Sequence, residues 1–284
     1  MRLVHARGSL ELDRCLVMGI VNRTPDSFYD GGRVELSAAT DHAHRLIHEG
    51  ADILDIGAVK AGPGEDVAER DEADRLLPLV EAVAGAGALL SVETSRPGIA
   101  RAAVAAGAAF VNDVSGLGDP ELADACAESG AALILMHNGG QIRGRPRAPA
   151  YDDVVADVLA ELERLVDLAR GRGVGEDSIV VDPGLDFGKN TFHSLELMRR
   201  LDELTSPGRP VLVAASRKDI VGETLGLPLE ERLEGSLALV ALSVIGGAAI
   251  VRVHDVRATV RVVRMIEAVR GTRRPVAPIR GLWD

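Results

Sequence analysis

Two textures alternate along this chain, and that alternation constrains its fold more than any other feature. Short apolar runs rich in β-branched residues recur eight times: CLVMGIVN (15–22), DILDIG (52–57), ALLSVET (88–94), AAFVNDV (108–114), AALILMH (131–137), SIVVDPG (178–184), PVLVAAS (210–216) and AAIVRVHD (248–255). Between and after them lie eight Ala-rich, helix-patterned segments, from LSAATDHAHRLIHEGA to VRATVRVVRMIEAVRG. Several end in Gly, as helix C-termini often do. Strand and helix signals in alternation predict parallel strands joined by crossover helices. Eight such units in 284 residues fit one (β/α)8 TIM barrel spanning 1–284. An open doubly wound sheet is the weaker alternative, because no GxGxxG follows the first strand. The opening MRLVHARGSLELD alternates like a short N-terminal hairpin placed to plug the barrel floor.

Composition narrows the class. Hydrophobic residues make up 46% and charged residues 26%, which suits a large core and argues against disorder. Aromatics are only 2%, so the core must be Ala, Val, Leu and Ile. A formal net charge of −11 argues against nucleic acid as a partner, since no basic stripe offsets it. An anionic small molecule stays open if Lys, Arg or His cluster locally. Cys15 and Cys126 lie in unrelated contexts and form neither a disulfide framework nor a zinc motif. No signal peptide is expected at the N-terminus, and no apolar run is long enough for a membrane span. Cytoplasm is the default compartment.

The strand ends carry the functional signal, because catalysis in this barrel belongs to the C-terminal ends of the strands. Those ends hold Asn22, Asp55, Glu93, Asn112 with Asp113, His137, Asp182, Ser216-Arg217-Lys218, and Arg252 with His254. One polar strand end is as often a cap or a solvated loop as a site. Eight in register favour a polar ligand site.

Several multi-residue motifs occur in barrel order: MGIVNRTPDSFYDGGR (18–33), VNDVSG (111–116), DPGLDFGK (182–189), SRK (216–218) and RVHDV (252–256). Together they resemble the dihydropteroate synthase family over nearly the whole chain. That resemblance implies condensation of a dihydropterin-CH2-diphosphate with p-aminobenzoate, giving 7,8-dihydropteroate and pyrophosphate in folate biosynthesis. It implies Mg²⁺ as cofactor, with Asn22 as metal ligand, and Asn22, Arg252 and His254 around the diphosphate. Arg252 and His254 stand two apart on one strand and so share a face; the plainer reading of the pair is a strand-end ion pair with Asp255. Glu93, Asn112, Asp182 and Lys218 would hold the pterin, with Asp182 reading the amino-pyrimidinone edge bidentately. Phe28, Pro63, Phe187 and Ser216 would line the p-aminobenzoate position. Asp182, Lys218, Arg252 and Asn22 would carry catalysis. The last helices (230–270) could pair as the family's homodimers do.

The chain also departs from the family pattern. Where the second-strand loop normally carries a Glu-Ser-Thr-Arg run, this chain has Val59-Lys60-Ala61-Gly62 inside GAVKAGPG (57–64). The hydroxyls and the guanidinium are gone, and Lys does not reproduce the guanidinium fork; Arg23 or Lys60 could compensate. Glu93 replaces the usual Asp. Asp186 replaces a usual Gly, where an acid could obstruct the pterin or repel diphosphate. Two functions follow: a working synthase, or a diverged paralogue that binds pterin or aryl acid with little or no synthase activity. A pterin-dependent methyltransferase is the third and weaker reading, since the first loop and Arg252/His254 are diphosphate-type features. GLDFGKNT fails as a Walker A because its glycines are too close and Asn follows Lys. His44 and His48 are four apart on a helix without an evident third ligand and read as a solvated face.

Overall fold

The computed structural model describes residues 1–23, 36–59, 67–140 and 149–280. Residues β1 Arg2–His5 and β2 Gly8–Glu11 pair as an antiparallel hairpin, with Leu3 opposite Leu10. The eight predicted runs become β3 Leu16–Asn22, β4 Ile53–Gly57, β5 Leu89–Glu93, β6 Phe110–Asp113, β7 Ala132–Met136, β8 Ile179–Asp182, β9 Leu212–Val213 and β10 Ile250–Val253. They pair in parallel in the order β8-β7-β6-β5-β4-β3-β10-β9. A single parallel bridge, Val181 with Val211, joins β8 to the start of the β9 run, and Val181 N–H donates to the Pro210 carbonyl at 3.0 Å. Closure is that narrow because Pro210 has no N–H to return to the ladder.

The barrel has two apolar layers, as alternation along buried strands requires. Inside lie Leu16, Met18, Ile53, Phe110, Ile134, Val180, Leu212 and Ile250, and Leu3 of the hairpin joins them fully buried. His5 stacks on Phe110 at 5.4 Å between ring centres. The hairpin therefore plugs the barrel interior, as its alternation predicts. Outside, Val17, Leu54, Val92, Val111, Leu133 and Val251 face the helices.

The helices are α1 Leu36–Glu49, α2 Glu69–Val83, α3 Pro97–Ala106, α4 Glu121–Ser129, α5 Val154–Gly171, α6 Thr191–Arg199, α7 Leu201–Thr205, α8 Asp219–Leu225, α9 Leu233–Ile245 and α10 Val256–Val269. Two details differ from the sequence pattern. The segment around 195–205 breaks into α6 and α7 at Arg200, and the short α8 follows the SRK motif, ended by Gly226 in the left-handed conformation. His44 and His48 are exposed on α1, whose buried face is Ala39, His42, Ala43 and Leu46. No helix among the described residues is long and apolar enough to cross a membrane.

Candidate active site at the barrel mouth

Strand register brings the predicted polar ends together. Asn22 lies opposite Gly57, Gly57 opposite Glu93, and Glu93 opposite Asn112. One row thus carries Asn22, Glu93 and Asn112 across four strands, with a gap where Gly57 has no side chain. A Cβ at Gly57 would sit 3.4 Å from Asn22 Oδ1 and 3.8 Å from Glu93 Oε1, so these two oxygens flank the gap.

Below that row Asp55 is fully buried. Its carboxylate accepts from Ser91 Oγ at 2.6 Å, Asn112 Nδ2 at 2.9 Å and Arg252 Nε at 2.6 Å. Arg252 Nη2 donates to Glu93 Oε2 at 2.6 Å. Two carboxylates therefore share one guanidinium. Arg252 does not pair with Asp255, which holds Arg217 instead. Among the described residues Arg252 Nη1 donates no hydrogen bond. Burial pushes Glu93 up to about 7, with Arg252 opposing and Asp55 reinforcing the shift. A carboxyl that protonates near neutrality puts less fixed negative charge at the mouth than an ordinary carboxylate does.

His254 stands beside that guanidinium. Ser216 Oγ accepts from the His254 backbone N–H at 3.2 Å and meets Nδ1 at 3.1 Å. The hydroxyl proton is then free to turn to Nδ1, which leaves the ring proton on Nε2. Burial, then the Arg252 charge, lowers His254 to about 4, so the imidazole is neutral. Ser216, expected near an aryl carboxylate, is buried against this imidazole.

The other wall is built from β8 and the loops after it. Asp182 is buried and accepts from Gly184 N–H at 2.7 Å. Burial raises its carboxyl, while Lys218 is the largest opposing influence. Lys218 Nζ donates to the Leu185 carbonyl at 2.8 Å and lies 4.9 Å from the centre of the Phe187 ring, inside cation–π range. Burial lowers Lys218 and Asp182 opposes that. Lys189 is buried too, with Nζ 2.7 Å from His137 Nδ1, 3.0 Å from the Gly184 carbonyl and 2.8 Å from the Phe187 carbonyl. An ammonium has three donors, and these three acceptors use them all. Burial lowers Lys189 to about 7.

Asp186 adopts φ +67°, a region that favours Gly and that Asp tolerates. Its carboxylate accepts from Ser194 Oγ at 3.0 Å and from Ile220 N–H at 3.1 Å. Both oxygens are thus tied to α6 and α8, rather than left loose against a ligand. Arg23, a candidate compensating cation, sends Nη1 to the Asp74 and Arg75 carbonyls of α2 at 3.3 and 2.5 Å. The Asp74 carbonyl lies one turn ahead of Pro78, which has no N–H to give it. Those bonds tie Arg23 to the helix layer. Phe28, Pro63 and Lys60 lie outside the described residues.

The sequence named Asp55, His137 and Arg217 only as polar strand ends and left out Lys189. Asp55 was visible as a strand-end carboxylate, and an acid inside DILDIG must find a buried partner. That partner is 197 positions away, so no local pattern could name it.

Residues 18–254 match the pterin binding enzyme family. The chain is 40% identical over 271 residues to the dihydropteroate synthase of Escherichia coli strain K12, covering 94% of this chain and 96% of that one. The chain belongs to the dihydropteroate synthase family. Members bearing that name are transferases. The inactive dihydropteroate synthase 2 of Mycobacterium leprae strain TN is 49% identical over 282 residues, covering 95% of this chain and 96% of its own. Among solved structures, the Xanthomonas albilineans dihydropteroate synthase with 4-aminobenzoic acid superposes with a TM-score of 0.88 at 42% identity, covering 98% of this chain and 99% of that one. All eight parallel strands of that barrel, β3 to β10, are present in this chain.

Proposed function

We propose that the mouth binds a dihydropterin carrying a CH2–diphosphate, and that this chain is a diverged second member of the synthase family that condenses it with p-aminobenzoate slowly or not at all. The observation that carries this reading is Val59-Lys60-Ala61-Gly62, where the family pattern has a run bearing hydroxyls and a guanidinium. The higher identity to a relative named inactive, 49% against 40% for the Escherichia coli synthase, supports it.

The pterin wall supports retained binding. Asp182 would read the amino-pyrimidinone edge, Asn112 would meet another edge, and Lys218 would meet the carbonyl beside Phe187. Arg252 Nη1, with the neutral His254 imidazole beside it, would take the diphosphate, and stabilising the leaving anion lowers the barrier to its departure. The arylamine then attacks the CH2 carbon. Among the described residues no cluster of three or more His, Cys, Asp or Glu is poised for a metal. Asn22 Oδ1 at the edge of the gap over Gly57 nonetheless fits Mg²⁺, which takes few protein ligands and relies on substrate phosphates and water. Bound there, Mg²⁺ would neutralise diphosphate charge. We read the chain as a homodimer, and as cytoplasmic on its two buried unpaired cysteines.

A second reading, a working synthase, is favoured by the retained Asn22, Arg252 and His254. Titrating the purified protein with dihydropterin diphosphate and Mg²⁺, then adding p-aminobenzoate and following pyrophosphate, separates the two. We expect binding with pyrophosphate release about 10²-fold or more below that of the Escherichia coli relative, the scale of a misplaced catalytic group. The triple variant Lys60→Ser, Ala61→Thr, Gly62→Arg should raise the rate. Comparable release by the unaltered protein establishes the second reading, and failure to bind the pterin diphosphate overturns both.

A further inference from the structure

Three consecutive residues leave β9 in different directions. Ser216 turns to His254 at the end of β10. Lys218 turns to the Leu185 carbonyl beside Asp182. Between them Arg217 is buried and holds φ +56°, a conformation that a non-glycine residue keeps only when its surroundings enforce it.

Those surroundings are specific. Arg217 Nε and Nη2 grip Asp255 Oδ2 and Oδ1 at 2.8 and 2.9 Å, the planar fork that lysine cannot copy. Nη1 donates to the Leu229 and Glu230 carbonyls at 3.0 and 3.2 Å. The Arg217 backbone is held at both ends as well: its N–H donates to Ser236 Oγ at 2.9 Å, and its carbonyl accepts from Arg232 Nη1 at 3.0 Å. Asp255 directly follows His254. The guanidinium therefore bolts the loop after β9 to the end of β10, and the left-handed turn at the bolt aims Lys218 the opposite way.

We infer that Arg217 is a positioning residue: its clasp on Asp255 fixes Lys218, on the pterin side, relative to Arg252 and His254, on the diphosphate side. The inference rests on the pterin diphosphate reading above. Its chemical meaning is that the two halves of one ligand are bound as a chelate. A chelate gains affinity only while its two half-sites keep the right separation. Arg217 spends its donors on protein groups and acts through Lys218 and His254.

The test compares three ligands on the full chain: dihydropterin diphosphate, the hydroxymethyl pterin without diphosphate, and pyrophosphate with Mg²⁺. Dissociation constants are measured by calorimetry for the unaltered protein, Arg217→Lys, Asp255→Asn and the double variant, with melting temperatures alongside. We expect each single variant to weaken the pterin diphosphate by about tenfold or more, while either half-ligand alone changes by less than about threefold, because the clasp supports linkage rather than contact. The double variant should be no worse than the weaker single, since both remove one pair. Asp255→Asn keeps the side-chain shape and serves if Arg217→Lys folds poorly. Loss of all three ligands in proportion, or no loss, overturns the inference. A wild-type protein that binds none of the three overturns the function reading, and the inference with it.

Discussion

Glu93 is where burial and charge compete most directly. It sits 2.6 Å from the Arg252 guanidinium, which should hold it ionised. Yet burial outweighs that attraction, Asp55 already occupies the same guanidinium, and Glu93 rises from 4.5 to about 7. The folded protein thus keeps a proton that the unfolded chain releases at lower pH. The stability this contributes is complete below about 4.5 and is lost as pH rises through about 7. Glu93→Gln keeps the hydrogen-bonding shape without the titration. In urea unfolding between pH 4.5 and 8, the unaltered protein should lose stability relative to this variant at up to about 1.4 kcal/mol per pH unit, the most one proton can give. Parallel curves for the two proteins would refute the assignment. Residue identities at the mouth were legible in the motifs, because strand-end position alone singles out Asn22, Glu93, Asn112, Asp182, Arg252 and His254. Their partners were not. The motif reading left Arg252 to a diphosphate or to Asp255, whereas the fold gives two of its nitrogens to Asp55 and Glu93, residues that are distant in sequence and adjacent only once the barrel closes.

At the scale of elements, the loop after β8 is docked face to face onto the end of β7. Lys189 supplies the polar part of that contact through His137 and two loop carbonyls. Gly184 supplies the close approach: it holds φ +64°, and a Cβ there would lie 2.0 Å from the His137 carbonyl oxygen. Neither can relax without moving Asp182 and Phe187, which bracket the same loop. Gly184→Ala should therefore cost at least about 3 kcal/mol of stability, in the range reserved for backbone strain and overpacking. Gly171→Ala, where an added Cβ meets nothing within 4 Å, is the control. Equal melting temperatures for the two variants would contradict the docking. Element types were readable because apolar period reports local burial. Boundaries and extra turns were not: β9 spans only Leu212–Val213 of its longer apolar run, and α8 grows from Asp219 with too few residues to show a helical period.

The whole barrel was legible in the eightfold alternation, because each unit buries its own strand and helix faces by local pattern. Which outer helix faces remain uncovered was not, since that depends on how α9 and α10 sit once packed together. The structure leaves Leu242 and Ile245 of α9, and Met265 and Val269 of α10, each more than half exposed. Helices α9 and α10 pack against one another, so these side chains belong to one region of the outer layer. Apolar side chains gathered in one region of a surface mark interaction sites, and a second copy of this chain is the partner that the family resemblance implies. Sedimentation equilibrium at micromolar concentration should then report a dimer. The double substitution Ile245→Glu, Met265→Glu should shift it to monomer, because two charges buried on each side without partners cost more than an ordinary interface recovers. Pterin diphosphate affinity per protomer should stay unchanged, since neither residue touches Asn22, Glu93, Asp182, Lys218 or Arg252. An unaltered protein that sediments as a monomer would reject the dimer outright. A double variant that stays dimeric would move the interface away from these two helices.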